Sequence, residues 1–92
     1  MNKYVIERTI PGAGKLGPKD LADVTSKSLE ILNQLGTDVQ WVQTFVCADK
    51  LYCVYNAKNA ELVKEHARRG GFPSDSVNQV MAVVDPTMVG TR

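Results

Sequence analysis

Hydrophobic positions along this chain follow the period of a strand in some segments and the period of a helix in others. Apolar and β-branched residues crowd positions 3–10, and Pro11 with Gly12 ends that segment, which predicts a first strand. After Pro18 the spacing changes to steps of three and four residues and predicts a helix that Gly36 closes. The stripe of that helix consists of Leu21, Val24, Ser28, Ile31, Leu32 and Leu35.

The middle of the chain is typical of a β-hairpin. Residues 39–48 alternate with large apolar groups on both faces, and residues 51–56 are again strongly β-prone. One face would carry Val39, Trp41, Gln43, Phe45 and Cys47. A turn at Asp49-Lys50 is favoured and would place Cys47 opposite Tyr52, whereas a three-residue loop would place it opposite Cys53.

The remaining pattern predicts a second helix and a last strand. Asn59 is suited to cap the helix, Gly70-Gly71 ends it, and residues Val77 to Val84 form the strand. The resulting β-α-β-β-α-β order predicts a single α+β domain over residues 1–92 with a ferredoxin-like fold, in which both helices cover one face of a four-stranded antiparallel sheet. Because the second strand is apolar on both sides, we expect another copy of the chain to cover the other face, giving a homodimer.

Composition and charge argue against several classes of function. Eleven Lys and Arg against ten Asp and Glu leave no basic excess for nucleic acid. No segment approaches the roughly 18 apolar residues of a membrane span, and charges within the first eight residues argue against a secretory signal. The two cysteines are therefore expected to be reduced thiols in the cytoplasm.

Gly12, Gly14 and Gly17 spell the G-x-G-x-x-G pattern of a dinucleotide-binding loop. Pro18 follows the last glycine directly, so the helix would begin after the motif, and the chain is too short for a doubly wound sheet. We interpret the glycines as a flexible connection.

Few side chains are candidates for chemistry. His66 is the single histidine and falls on or beside the buried stripe of the second helix, where a core residue and a metal ligand are both reasonable interpretations. Cys47 and Cys53 match no strong zinc spacing. Glu7 and Arg8 are neighbours in the first strand, so one of them points toward a covered side, where a charge needs a partner or a metal.

Five segments carry a resemblance to a known family: residues 4–8, 38–42, 53–55, 65–73 and 84–87. They resemble a family of small bacterial proteins that is catalogued as a domain of unknown function and includes a nickel-binding member. The resemblance implies a ferredoxin-like fold, a homodimer and binding of nickel or a similar divalent metal. Among the matching positions Glu7, Cys53 and His66 offer oxygen, sulfur and nitrogen donors, a set that suits a borderline metal.

Two other functions stay open. The first is a small dimeric α+β-barrel enzyme, of isomerase or monooxygenase type, with His66 as general acid or base and a small-molecule ligand in an apolar pocket. That pocket would be lined by Trp41, Phe45, Tyr52, Tyr55 and Met81. The second is a non-catalytic assembly module. We favour a metal-binding protein without catalytic residues.

Overall fold

Strands and helices follow one another in the predicted order in the computed structural model, which describes residues 1–90. The strands are β1 (Asn2–Thr9), β2 (Val39–Val46), β3 (Lys50–Ala57) and β4 (Ser76–Gln79), and the main helices are α1 (Pro18–Leu35) and α2 (Ala60–Gly70). Short 3-10 turns lie at Ala13–Lys15 and Pro86–Val89. The strands form one antiparallel sheet in the order β2-β3-β1-β4.

Both helices lie on the same face of this sheet. Leu32 of α1 and Val63 of α2 pack into one core with Tyr4 and Ile6 of β1 and Tyr55 of β3. This arrangement is the predicted ferredoxin-like fold. Strand β1 lies between β3 and β4, and Ile6 on it is fully buried.

The predicted helix ends are confirmed. Pro18 occupies the first turn of α1, where its missing N–H costs no hydrogen bond, and Gly36 closes the helix with a φ of 84°. Asn59 caps α2 by accepting a hydrogen bond of 3.0 Å from the backbone N–H of Leu62.

The hairpin differs from both predicted registers. The turn is Ala48-Asp49, because Val46 pairs with Leu51 and the Cys47 N–H donates to the Lys50 carbonyl at 2.8 Å. Cys53 therefore lies opposite Thr44. The turn is held from outside the hairpin: the Ile10 N–H donates to the Asp49 carbonyl at 2.9 Å and the Gly12 N–H to Asp49 Oδ1 at 2.9 Å.

A β-bulge between Trp41 and Gln43 changes which side chains of β2 face the helices. Cross-strand partners share a face, so Trp41 opposite Tyr55 and Thr44 opposite Cys53 both point to the helix side. Gln43 and Phe45, which were predicted on the same face as Trp41, lie on the other side. The extra residue breaks a strict alternation, and the alternation was the basis of that prediction.

The last strand is shorter than the predicted Val77 to Val84. It ends at Gln79, which pairs with Tyr4, and the Val80 N–H still donates to the Lys3 carbonyl at 2.8 Å. In this register nothing remains of β1 to pair with the residues after position 81. Lacking a neighbour, the apolar residues from Met81 to Val84 are exposed.

The glycine-rich loop packs on the hairpin turn rather than forming a free phosphate cradle. The Gly14 N–H donates to the Ala48 carbonyl at 2.9 Å, and a Cβ at Gly14 would approach the Ala48 Cα to 3.0 Å. The amides of Gly12 and Gly14 are therefore already bonded. The interpretation of the motif as a connection is supported, although the loop is fixed rather than free.

The face of the sheet opposite the helices has no covering element within residues 1–90. Val5, Tyr52 and Val54 lie on it beside Phe45, whose side chain is 54% exposed. The polar side chains on the same face around this apolar centre include Lys3, Glu7, Gln43 and Asn56. No helix in the described part of the chain is both long and apolar enough to cross a membrane.

Candidate functional site

A cavity of about 320 Å³ separates the first half of α1 from the sheet. Much of its wall is apolar, with Leu21 and Val24 from α1 facing Trp41, Val46 and Leu51 from the sheet. Five elements of the fold also contribute polar side chains to it, and these side chains are Arg8, Thr25, Ser28, Thr44, Cys53, Tyr55 and His66.

The cavity exists because only one half of the α1 stripe reaches the sheet. Ile31 and Leu32 are buried as predicted, but Val24 is 46% exposed and Leu21 is half-buried. The stripe predicted a continuous packed face. In the structure its N-terminal part lines a cavity instead.

Arg8 is the charge at the base of this cavity. Its side chain points to the helix side and the residue is 3% exposed, whereas Glu7 points to the open face. Arg8 Nε donates to Cys53 Sγ at 3.4 Å, one terminal nitrogen donates to the Pro73 carbonyl and the other to the Tyr55 hydroxyl at 3.5 Å. The guanidinium lies 5.6 Å from the centre of the Phe72 ring. No carboxylate among residues 1–90 is within ion-pair distance of it.

His66 is 1% exposed and lies between two aromatic rings, with centroids 5.3 Å from Tyr55 and 5.4 Å from Phe72. Its Nε2 shares a 2.9 Å hydrogen bond with the Ser28 hydroxyl, and its buried Nδ1 has no hydrogen-bond partner within residues 1–90. Burial, and then the positive charge of Arg8, lower the pKa of His66 to about 4. The ring is therefore neutral at pH 7.

Tyr55 is also held in its neutral form. Burial raises the pKa of the Tyr55 phenol to about 12, although the charge of Arg8 acts in the opposite direction. The hydroxyl consequently stays protonated at pH 7 and has a hydrogen to donate.

Phe72 forms the wall of the cavity beside α2. A Cβ at Gly70 would collide with the Phe72 ring, so the glycine allows the ring to fold back over the end of the helix against His66. Lys27 of α1 lies over the same ring, with its ammonium nitrogen 5.4 Å from the centroid.

The structure brings two of the three predicted metal ligands to this cavity. Cys53 and His66 both line it, but Glu7 is on the other side of the sheet, where its carboxylate pairs with the Lys50 ammonium at 2.5 Å. Within residues 1–90 no three His, Cys, Asp or Glu side chains are grouped closely enough to hold a metal ion. The described chain by itself thus does not assemble the predicted set of ligands, and that set stays a prediction.

Of the residues predicted to line an apolar pocket, some line this cavity and others lie elsewhere. Trp41 and Tyr55 line the cavity. Phe45 and Tyr52 share a cross-strand pair on the open face, and Met81 is 84% exposed beyond β4. Ser28 was placed in the stripe of the first helix but not among the candidate site residues, although a hydroxyl in an otherwise apolar stripe was a signal for it.

The family to which the chain belongs follows from a match over most of its length. The family described as "Nickel responsive protein SCO4226-like" matches residues 4–80. This chain belongs to that family. The predicted resemblance to a small bacterial family with a nickel-binding member is confirmed at the level of the nickel-responsive family.

One solved structure shares this fold. The crystal structure of SCO4226 from Streptomyces coelicolor A3(2) superposes with a TM-score of 0.74 at 16% sequence identity, covering 89% of this chain and 99% of the other. At that identity the likeness concerns the fold alone. No curated protein sequence matches the chain.

Proposed function

We propose that the protein binds nickel or a similar divalent ion as a homodimer, with His66 and Cys53 as ligands. The family is nickel-responsive, and one observation in the structure supports a ligand role most directly. His66 keeps a buried Nδ1 without a hydrogen-bond partner in residues 1–90 on a ring that is neutral at pH 7. Neutral imidazole is the form that binds metals.

The side chains that line the cavity supply some, but not all, of the ligands that a metal ion needs. Imidazole nitrogen and thiolate sulfur are suitable ligands for nickel, and Ser28 fixes the His66 ring through Nε2. Against this, Arg8 places a positive charge at Cys53 Sγ, and one protomer supplies only these two donors to the cavity. Cys53 would bind as a thiolate, whose negative charge offsets part of that repulsion, and metal binding would release a proton.

Titration of the metal-free protein with nickel chloride tests the ligands one at a time. We expect His66→Gln and Cys53→Ser each to weaken nickel binding by more than about 100-fold, since each removes a direct ligand, a greater loss than a supporting residue causes. Isothermal titration calorimetry at pH 7.5 measures the affinity. Glu7→Gln should leave it unchanged, because Glu7 faces the other side of the sheet.

Cys47→Ser is the matched control, since Cys47 is the exposed free cysteine. Nickel binding that depends on Glu7 but not on His66 would move the metal site to the open face. Equal affinity in wild type, His66→Gln and Cys53→Ser would remove both residues from the site.

The dimer is proposed to form through the open face of the sheet. Val5, Phe45, Tyr52 and Val54 give this face an apolar centre, and residues 1–90 supply no helix to cover it. A chain of this size buries a limited share of its surface alone, so a second copy would add to its stability.

Phe45→Lys is expected to raise the dissociation constant of this dimer by more than about 100-fold, because a symmetric interface would then bury two unpaired ammonium groups. Sedimentation velocity over a range of protein concentrations measures the change. Leu29→Lys is the control, since Leu29 is similarly exposed at 49% but lies on α1. A wild-type protein that stays monomeric, or a Phe45→Lys variant that dimerises as well as wild type, would contradict the interface.

A further inference from the structure

We propose that the cavity between α1 and the sheet binds a small carboxylate with an apolar body, and that Arg8 is its charge partner. This inference goes beyond the proposed metal binding and does not rest on it. The described chain leaves one charge in its interior, that of Arg8, without a counter-charge.

Arg8 is buried, and its surroundings leave its charge uncompensated. A buried cation normally pairs with a carboxylate, because removal from water costs several kcal/mol unless an opposite charge is near. None of the carboxylates in residues 1–90 is in ion-pair contact with Arg8, whose partners are a thiol, a phenol and a backbone carbonyl. These groups supply acceptors but no negative charge in their neutral forms.

Arg8 also has hydrogen-bonding capacity to spare. A guanidinium carries five N–H bonds in a planar fork. Three of them are used, by Cys53, Pro73 and Tyr55, which leaves one N–H on each terminal nitrogen. A carboxylate has two oxygens with the spacing for such a pair of donors.

The walls of the cavity define the rest of the ligand. Leu21, Val24, Trp41 and Leu51 offer apolar surface, so the body of the ligand should be apolar. Among residues 1–90, Arg8 is the single cationic side chain that lines the cavity, and no Asp or Glu lines it. One positive charge matches a monoanion, which favours a carboxylate over a doubly charged phosphate. The volume of about 320 Å³ is at the lower end for ligand pockets and limits the ligand to a small molecule.

The chain carries its own reporter for binding. Trp41 is the single tryptophan and lines the cavity, where its Nε1–H donates to the Thr44 hydroxyl at 3.0 Å. Its fluorescence can therefore follow a titration with non-absorbing probes. Octanoate, 1-octanol and octylamine form a matched series, since they share an eight-carbon chain and differ in charge.

We expect octanoate to bind the metal-free protein, kept in EDTA, at least about 10-fold more tightly than 1-octanol, and octylamine to bind more weakly than either. Arg8→Met should weaken octanoate by about 30-fold or more and leave 1-octanol within a few-fold of wild type. A thermal melt checks that Arg8→Met is folded, since Met removes the donor to the Pro73 carbonyl and the Tyr55 hydroxyl together with the buried charge. Arg68→Met is the control, since that arginine is exposed on α2, and it should change nothing.

Equal binding of octanoate and 1-octanol by the wild-type protein would overturn the proposal, and this comparison does not depend on any variant folding. Octanoate affinity that survives in Arg8→Met would overturn it as well. Both measurements are made without metal, so a protein that fails to bind nickel can still bind octanoate. Failure to bind octanoate would likewise leave the nickel proposal untouched.

Discussion

Replacing Ile6 by alanine is expected to lower the free energy of unfolding by about 4 kcal/mol. Ile6 is fully buried on β1, which is paired on both sides by β3 and β4. Its side chain packs in the core that both helices share, so removal of its outer carbons leaves a cavity that the sheet cannot easily collapse around. For a small domain this is a large share of the total stability.

Urea unfolding followed by circular dichroism measures this loss, at several protein concentrations because a dimer would make stability depend on concentration. Ile6→Val should cost only about 1 kcal/mol, since it removes a single methylene. Val83→Ala should cost almost nothing, because Val83 is 71% exposed. A loss in Ile6→Ala no larger than in Val83→Ala would contradict the buried position of β1.

The free energy of unfolding is expected to fall by about 3 kcal/mol as the pH decreases from 7 to 4, through His66 alone. The pKa of His66 is about 4 in the folded protein against 6.5 for the free side chain. Between these values the unfolded chain takes up a proton that the folded chain does not, so acid favours unfolding. Well above pH 6.5 both states hold a neutral ring and the contribution no longer changes.

The groups that face His66 do not obscure this dependence. Arg8 stays positively charged and Tyr55, with a pKa of about 12, stays neutral throughout the range, while Ser28 does not titrate. Urea unfolding of the metal-free protein at intervals from pH 7 to pH 4 gives the profile. Carboxylates also titrate near the acid end, and subtraction of the His66→Gln profile removes their share. Parallel profiles for wild type and His66→Gln would show that the histidine is not buried in its neutral form.

Much of the fold could be predicted because it depends on local signals. Pro18, Gly36 and Asn59 mark helix ends by the backbone conformations and hydrogen bonds that they favour, and the structure has them in those roles. The errors lie where strands meet. The Ala48-Asp49 turn is fixed by the loop after β1, and the last strand stops where β1 offers no further partner. Each of these contacts comes from a different segment of the chain, so the sequence of the hairpin or of the last strand does not predict it.

The residues of the candidate site were even harder to predict from sequence, for the same reason. Cys53 and His66 were chosen by donor type and do line one cavity, yet Glu7 was chosen in the same way and faces the opposite side of the sheet. The β2 bulge likewise separates Phe45 from Trp41. Alternation along one strand shows which of its side chains share a face, but only strand pairing and helix packing decide which face is the interior.

The order of the elements and the ferredoxin-like class could be predicted from the residues alone, because they follow from periodicity. So could the inward position of either Glu7 or Arg8, because neighbours in a strand point to opposite faces. The folded structure was needed to show that Arg8 is the inward residue and that no carboxylate of residues 1–90 pairs with it. The reason is physical. The residue type alone sets the charge of a side chain, but its solvation and its counter-charge depend on groups that are distant in the chain.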